Sequence, residues 1–365
     1  LLMNMRTMLA FSVPMVLTSG LVTAGLFMSQ RRKARAAAAQ RKQGYESIIN
    51  DVEARLARLQ KQQSTLRHEN DPDPQESMRR LCDLERRLWS RRPDDDDFLC
   101  LRLGLGDLPS TVTVKTPAVR DAVNPDPLVV QAVQMAQHYT LIANAPFTLD
   151  VRASGVIGFA GERTPLLGVT FAAIAALATY HAPAEVKLAV IYGPNERDAW
   201  KWVRWLPHTW SDDHQVRYVA EDDATATQTL AAIERLLDAR RRLADDQKAN
   251  AETPFAMVVF IANEHVVEAN SVIDRLQFEG PELGIYPLFL SARVKLLPQS
   301  CRVVVRLVDG QAHLIRQGVA SDGALFEVDY AAPEFMDSFA RKMAAIRLRQ
   351  AQARDIPSMV TFLDQ

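Results

Sequence analysis

Apolar and polar positions change rhythm several times along the chain. Residues 9–28 read LAFSVPMVLTSGLVTAGLFM, a run without charge. About 20 helical residues span a hydrocarbon core, and glycine and proline are tolerated there. The run predicts a transmembrane helix over 8–28. A buried core helix and a signal peptide are the competing readings, but here the basic cluster follows the apolar run, the reverse of a signal peptide. Tyr45, Ile49, Val52, Leu56, Leu59, Gln63 and Leu66 recur at alternating spacings of four and three. That is a heptad seam, and it predicts one helix to about His68. Two readings stay open: a coiled-coil stalk, or an amphipathic helix packed on its own domain. Asp71-Pro72-Asp73-Pro74 should stop this helix. Residues 75–92 then predict a second helix, with Met78, Leu81, Leu84, Leu88 and Trp89 on one side.

Beyond this point the period changes. Residues 98–114 look like β structure. Strands are expected at 156–160, 186–192, 216–220, 255–261, 285–291, 302–308, 312–316 and 324–328. Helices are expected at 165–180, 196–206, 224–247, 266–276 and 333–350. Strands alternating with helices imply βαβ units, hence an α/β fold with a mainly parallel sheet. The organisation reads as the end of a preceding membrane segment or loop (1–7), a membrane helix (8–28), a basic juxtamembrane region and stalk (29–75), a helix and β lead-in (76–120), an α/β domain (121–350) and a linker (351–365).

Charge adds an orientation. The whole chain has 43 Lys and Arg against 44 Asp and Glu. Residues 29–93 nevertheless carry a net +7 and residues 94–365 a net −9. Arg31, Arg32, Lys33 and Arg35 follow the apolar run directly, which places this end on the cytoplasmic side and suits anionic head groups. The acidic remainder argues against nucleic-acid contact. Three scattered cysteines, Cys82, Cys100 and Cys301, form no metal or disulfide pattern and fit a reducing compartment.

The junction after the strand at 156–160 is where a phosphate-binding loop would sit. It contains Gly158, Gly161, Glu162, Arg163 and Thr164, but no lysine to reach the outer phosphates, and Glu162 would repel them. The strand at 257–261 ends in Ala262, Asn263 and Glu264, where magnesium chemistry wants an aspartate. Both halves of a nucleotide site are altered together. Trp200, Trp202 and Trp205 form an aromatic cluster that reads as core packing or as a docking edge. His208 and His214 lack ligand-spaced partners, so no metal site is expected, and no catalytic residue is assigned.

The segments Trp89-Ser90-Arg91-Arg92-Pro93, Leu101-Arg102-Leu103-Gly104-Leu105-Gly106, Trp205-Leu206-Pro207-His208 and Ile356-Pro357-Ser358-Met359-Val360-Thr361-Phe362-Leu363 resemble, in order, a known family. It is the membrane-anchored FtsK/SpoIIIE-type ATPases of type VII (ESX) secretion, the EccC, EssC and YukB-like proteins. The resemblance implies a membrane anchor, a stalk and a RecA/P-loop-like domain of degenerate ATPase character, leading to tandem motor domains. ATP and magnesium are then expected only in those motors, beyond this chain, and no cofactor in this segment. Arg293, after Ser291-Ala292, resembles a relic of a phosphate-sensing arginine. The implied partners are membrane subunits of the secretion complex, the motor domains, further copies of the chain and, indirectly, secreted substrates. The implied location is the plasma membrane, with the bulk of the chain cytoplasmic. The alternatives are the anchor of an FtsK-like DNA translocase and a divergent but active ATPase domain.

Overall fold

The computed structural model describes residues 2–116, 126–245, 255–267, 270–318 and 323–346, with side chains for residue 23 and from residue 25 onward. In chain order the elements are α1 (Leu2–Asn70), α2 (Pro74–Asp83), β1 (Cys100–Pro109), α3 (Pro127–His138), β2 (Leu141–Asp150), α4 (Val151–Ser154), β3 (Ile157–Ala160), α5 (Arg163–Tyr180), β4 (Val186–Ile191), α6 (Arg197–Trp200), β5 (Val219–Ala220) and α7 (Asp223–Asp245). They continue as β6 (Ala256–Ile261), α8 (Glu264–Val267), α9 (Ser271–Phe278), β7 (Ile285–Ser291), β8 (Val303–Val308), β9 (Gln311–Arg316), β10 (Leu325–Val328) and α10 (Pro333–Ala344).

Two compact units result: residues 1–63 with 109–142, and residues 64–108 with 143–365. In the first, α1 is continuous through the predicted membrane run. The side chains of 1–22, most of that run, lie outside the described residues. Ile49 and Leu56 of the seam are buried, whereas Tyr45 and Val52 are exposed. Gln60 Nε2 donates to the Leu141 carbonyl at 2.8 Å, and Gln63 Oε1 accepts from the Thr111 amide at 3.2 Å. The end of the seam at Gln63 is therefore hydrogen-bonded to the chain's own Thr111, beside the Gln60–Leu141 contact. The sequence reading had no element for α3, which Asp126 caps by accepting from the Leu128 amide, with Pro127 at its first position.

The second unit holds one ten-stranded sheet of order β2-β1-β10-β9-β8-β3-β7-β6-β4-β5. The run from β8 to β5 is parallel, and β8-β9, β9-β10 and β10-β1 are antiparallel. β4 and β7 are buried along their whole length, as parallel strands covered on both faces must be. Alternate strand residues feed two cores. Ile157, Phe159, Leu188, Phe260 and Leu288 meet α5 and α10, while Ala189, Ile191, Val259 and Phe289 meet α7 and α9.

Among the described residues one helix, α5, is long and apolar enough to cross a membrane, but 72% of it is buried. It is apolar all round because it is the central core helix. Thr170 and Thr179 satisfy their hydroxyls on carbonyls one turn back, each at 2.7 Å.

Five expected elements are corrected. Of the helix expected over 196–206 only Arg197–Trp200 is α-helical and Lys201–Trp205 is a 3-10 turn, and the helix expected over 333–350 ends at Ala344. The helix expected over 75–92 ends at Asp83, because Leu84 adopts a left-handed conformation (φ 49°) and its amide closes on the Arg80 and Leu81 carbonyls. The helix expected over 266–276 is split into α8 and α9, with Asn270 capping the second by accepting from Val272 at 3.0 Å. The strand expected over 216–220 joins the sheet only at Val219 and Ala220, while Arg217 forms an isolated antiparallel bridge to Trp210.

The Trp-Ser-Arg-Arg-Pro segment closes the end of α5. The Trp89 amide donates to the Thr179 carbonyl, its indole Nε1 to Ala178, and the Arg91 amide to Tyr180. The buried Arg91 guanidinium also grips Asp71 at 2.6 Å and the Asn70 carbonyl at 3.0 Å, and Arg102 takes the Asp71 carbonyl at 2.6 Å. These cations satisfy carbonyls that the last turn of α1 leaves open.

Candidate functional site

In an open parallel sheet, ligands settle beyond the carboxyl ends of the strands where the strand order reverses. Here β3 lies between β7 and β8, although the chain leaves it for the more distant β4. The residues after β3, β6 and β7 lie at this edge, and apart from Gly158, which is within β3, they include the nucleotide-loop, acidic-strand and sensor positions.

The loop is filled by the protein itself. The Arg163 guanidinium makes a two-pronged pair with Glu196, through Nε to Oε1 and through Nη2 to Oε2. Its Nη2 also donates to the Ala262 carbonyl at 2.9 Å. Glu196, in the turn after β4, accepts further from Trp200 Nε1 at 3.2 Å. One arginine thus ties the start of α5 to the ends of β4 and β6. Bidentate guanidinium–carboxylate pairs are the strong ones, and this pair is only partly open to water. The glycines serve packing. A Cβ on Gly158 would lie 2.6 Å from Leu297 Cδ1, and one on Gly161 would lie 2.8 Å from Leu307 Cβ. Glu162 and Thr164 are exposed.

The acidic-strand positions are satisfied in the same way. Asn263 is buried, and its Oδ1 accepts from the His265 amide at 3.1 Å. Glu264 Oε1 accepts from Ser291 Oγ at 2.7 Å and from the Ala292 amide at 3.1 Å, which stitches the end of β6 to the end of β7. The Arg293 side chain is exposed and makes no ion pair among the described residues. The cavity between these ends has a volume of about 70 Å³.

The aromatic cluster divides. Trp200 and Trp202 are fully buried and meet Phe171 edge-on at 4.8 and 5.1 Å, so a docking role for these two is corrected to core packing. Trp205 is 41% exposed, with Arg341 4.5 Å over its ring. His208 is buried, and its Nε2 donates to the His181 carbonyl at 2.8 Å. The His181 ring in turn accepts from the Leu99 amide at 3.0 Å. Burial holds the pKa of His181 down at about 3 and that of His208 at about 4. No grouping of three or more metal-ligating side chains occurs among the described residues. Arg31, Arg32, Lys33 and Arg35 are exposed along α1.

Glu196 is the residue that sequence reasoning missed. It lies 33 positions from Arg163 in an unremarkable Gly-Pro-Asn-Glu turn, and only the β3-α5-β4 crossover brings the two together.

No family model matches the chain. The chain is 23% identical over 356 residues to the "ESX secretion system protein EccC" of Geobacillus thermodenitrificans, covering 97% of this chain and 24% of that protein. It is 35% identical over 124 residues to the "ESX-4 secretion system protein EccC4" of Mycobacterium tuberculosis, covering 33% of this chain and 10% of that one. Among solved structures, "EssC (ATPases 2 and 3)" from Geobacillus thermodenitrificans aligns with 71% of this chain and 50% of its own, at 13% identity and a TM-score of 0.47. The chain spans about a quarter of the length of the first of these relatives. It is a homologue of the EccC, EssC and YukB proteins of type VII (ESX) secretion systems.

Proposed function

We propose that this chain is a membrane-anchoring, non-catalytic adaptor part of a type VII secretion ATPase, linking ATP-driven motor domains to the membrane pore. The observation that carries the reading is the Arg163–Glu196 pair, joined to the Ala262 carbonyl, in the loop where a working motor would hold phosphate. A phosphate there would have to displace Glu196 and would face Glu162 as well, without a lysine to offset either. Glu264 is engaged in holding two strand ends together and is not free to organise magnesium. ATP and magnesium then belong to motor domains elsewhere in the assembly, and this domain transmits motion by binding. The apolar run over 8–28 and the basic cluster behind it support anchoring in the plasma membrane with the α/β unit in the cytoplasm. The exposed part of the heptad seam, Tyr45 and Val52, supports contacts with further copies or with other membrane subunits.

Two measurements test the reading. Phosphate release from Mg-ATP by the purified full chain in detergent should equal that of a boiled control, and turnover would establish the divergent ATPase instead. Single cysteines at Asn4 and Ser29 should label from opposite sides of the membrane, and labelling of both from outside would remove the anchor.

A further inference from the structure

A second opening lies away from the nucleotide edge. A cleft of about 710 Å³ lies beside the start of β4. Its apolar walls come from Trp89, Trp205, Trp210, Pro183, Pro207 and Ile346. Three cations and one carboxylate share the same lining: Lys187, Arg204 and Arg217 against Asp212. Lys187 is almost fully buried and held by Asp212 at 2.7 Å. Among the described residues Arg204 approaches an acid only at Glu221, 3.9 Å away. The Arg217 guanidinium lies 4.1 Å over the Trp210 ring and makes no ion pair among the described residues. The cleft thus carries two positive charges in excess, within a sequence that is net −9 from residue 94 onward. Partial desolvation and the neighbouring Arg204 both disfavour the charge on the largely exposed Arg217, a cost that a bound anion would relieve.

We propose that this cleft is a docking site for a segment of a partner protein that combines apolar side chains with at least one carboxylate. The charge selects an anion. The indole and proline walls and the volume select an occupant that brings apolar groups with it, which a bare inorganic anion does not. Exposed tryptophan beside arginine is the composition of a protein-docking centre. The carboxylate seats against Arg217 and Arg204, whose guanidiniums accept it in a two-pronged geometry. The apolar side chains cover Trp205 and Trp210. The inference stands on residues that the nucleotide edge does not use, so it survives or fails independently of the adaptor reading.

The full chain in detergent micelles, panned against a random peptide display library, tests it. Enriched peptides should combine aspartate or glutamate with aromatic or aliphatic residues, and should change tryptophan fluorescence on titration. Arg217→Glu and Arg204→Glu should each weaken binding about tenfold or more, and Trp205→Ala should do so through lost apolar contact. Both arginines are solvent-exposed, so unchanged circular dichroism and melting temperature will show that the variants fold. Absence of enrichment, enrichment of basic or uncharged peptides, or affinities indifferent to both arginine reversals would overturn the proposal. So would binding of a single-stranded oligonucleotide that is sensitive to Arg217→Glu where no peptide binds.

Discussion

At the carboxyl ends of β3, β6 and β7, every polar side chain that nucleotide chemistry would use, apart from the exposed Glu162, Thr164 and Arg293, is satisfied by another part of the same unit. Arg163 has Glu196, Glu264 has Ser291, and Asn263 caps the next turn. Beside the start of β4 the accounting is different. Among the described residues Arg217 stands over an indole without a carboxylate, Arg204 has only a distant one, and Trp205 is open to water. The two regions share one sheet, yet the one that the fold reserves for ligands is closed by internal pairs. Satisfied groups report stability, and unsatisfied ones report where binding energy is still available.

The largest expected effect sharpens the contrast from the cleft side, where His208 packs against Trp89. His181 and His208 are held neutral when folded, with pKa values near 3 and 4, against an ordinary value near 6.5. Below pH 6.5 the unfolded chain takes up protons that the folded unit refuses. Stability should therefore be complete above pH 6.5 and fall by about 1.4 kcal/mol per pH unit for each histidine as pH drops towards 4. Urea unfolding at stepped pH, with His208→Asn expected to flatten the slope by about half, checks it. A flat profile between pH 6.5 and 4 would show that neither ring is buried neutral.

At the nucleotide edge, Gly161→Val should destabilise by about 1–3 kcal/mol, because the new side chain meets Leu307. A glycine kept there for ligand approach would instead leave stability unchanged in this variant. Glu196→Gln should cost about 1–3 kcal/mol by stranding the Arg163 guanidinium, measured by thermal melting. An unchanged melting temperature would mean that the pair does not hold the loop. The smallest effect returns to the cleft. Arg341→Ala should lose about 0.5–1 kcal/mol of cation–π contact while exposing more of Trp205, seen as a red shift in its emission.

How much of this was legible in the sequence follows from the range of the interactions. The parallel strands β3, β4, β6 and β7 were readable because buried strands are continuous apolar runs. The order-specific resemblance was readable from the Trp-Ser-Arg-Arg-Pro and Trp-Leu-Pro-His segments, and sequence homology bears it out. What those segments do was not readable: Trp89 and Arg91 cap the end of α5, and His208 closes on the carbonyl of His181, contacts that span up to 90 positions. The loss of the loop lysine was visible in one dimension, whereas its replacement by an Arg163–Glu196 pair was not. The end of the second helix was missed because a left-handed leucine at position 84 has no sequence signal. Arg204 and Arg217 looked like ordinary surface charge until the chain turned them towards the same cleft.

The edge formed by β3, β6 and β7 holds the Arg163–Glu196 pair and the Glu264 contacts, and it should therefore not take nucleotide. Isothermal calorimetry of the full chain with Mg-ATP tests this most directly. No saturable heat is expected at physiological ATP concentrations. Saturable binding with a Kd below about 100 μM, roughly −5.5 kcal/mol, that is lost in an Arg163→Ala variant would contradict it.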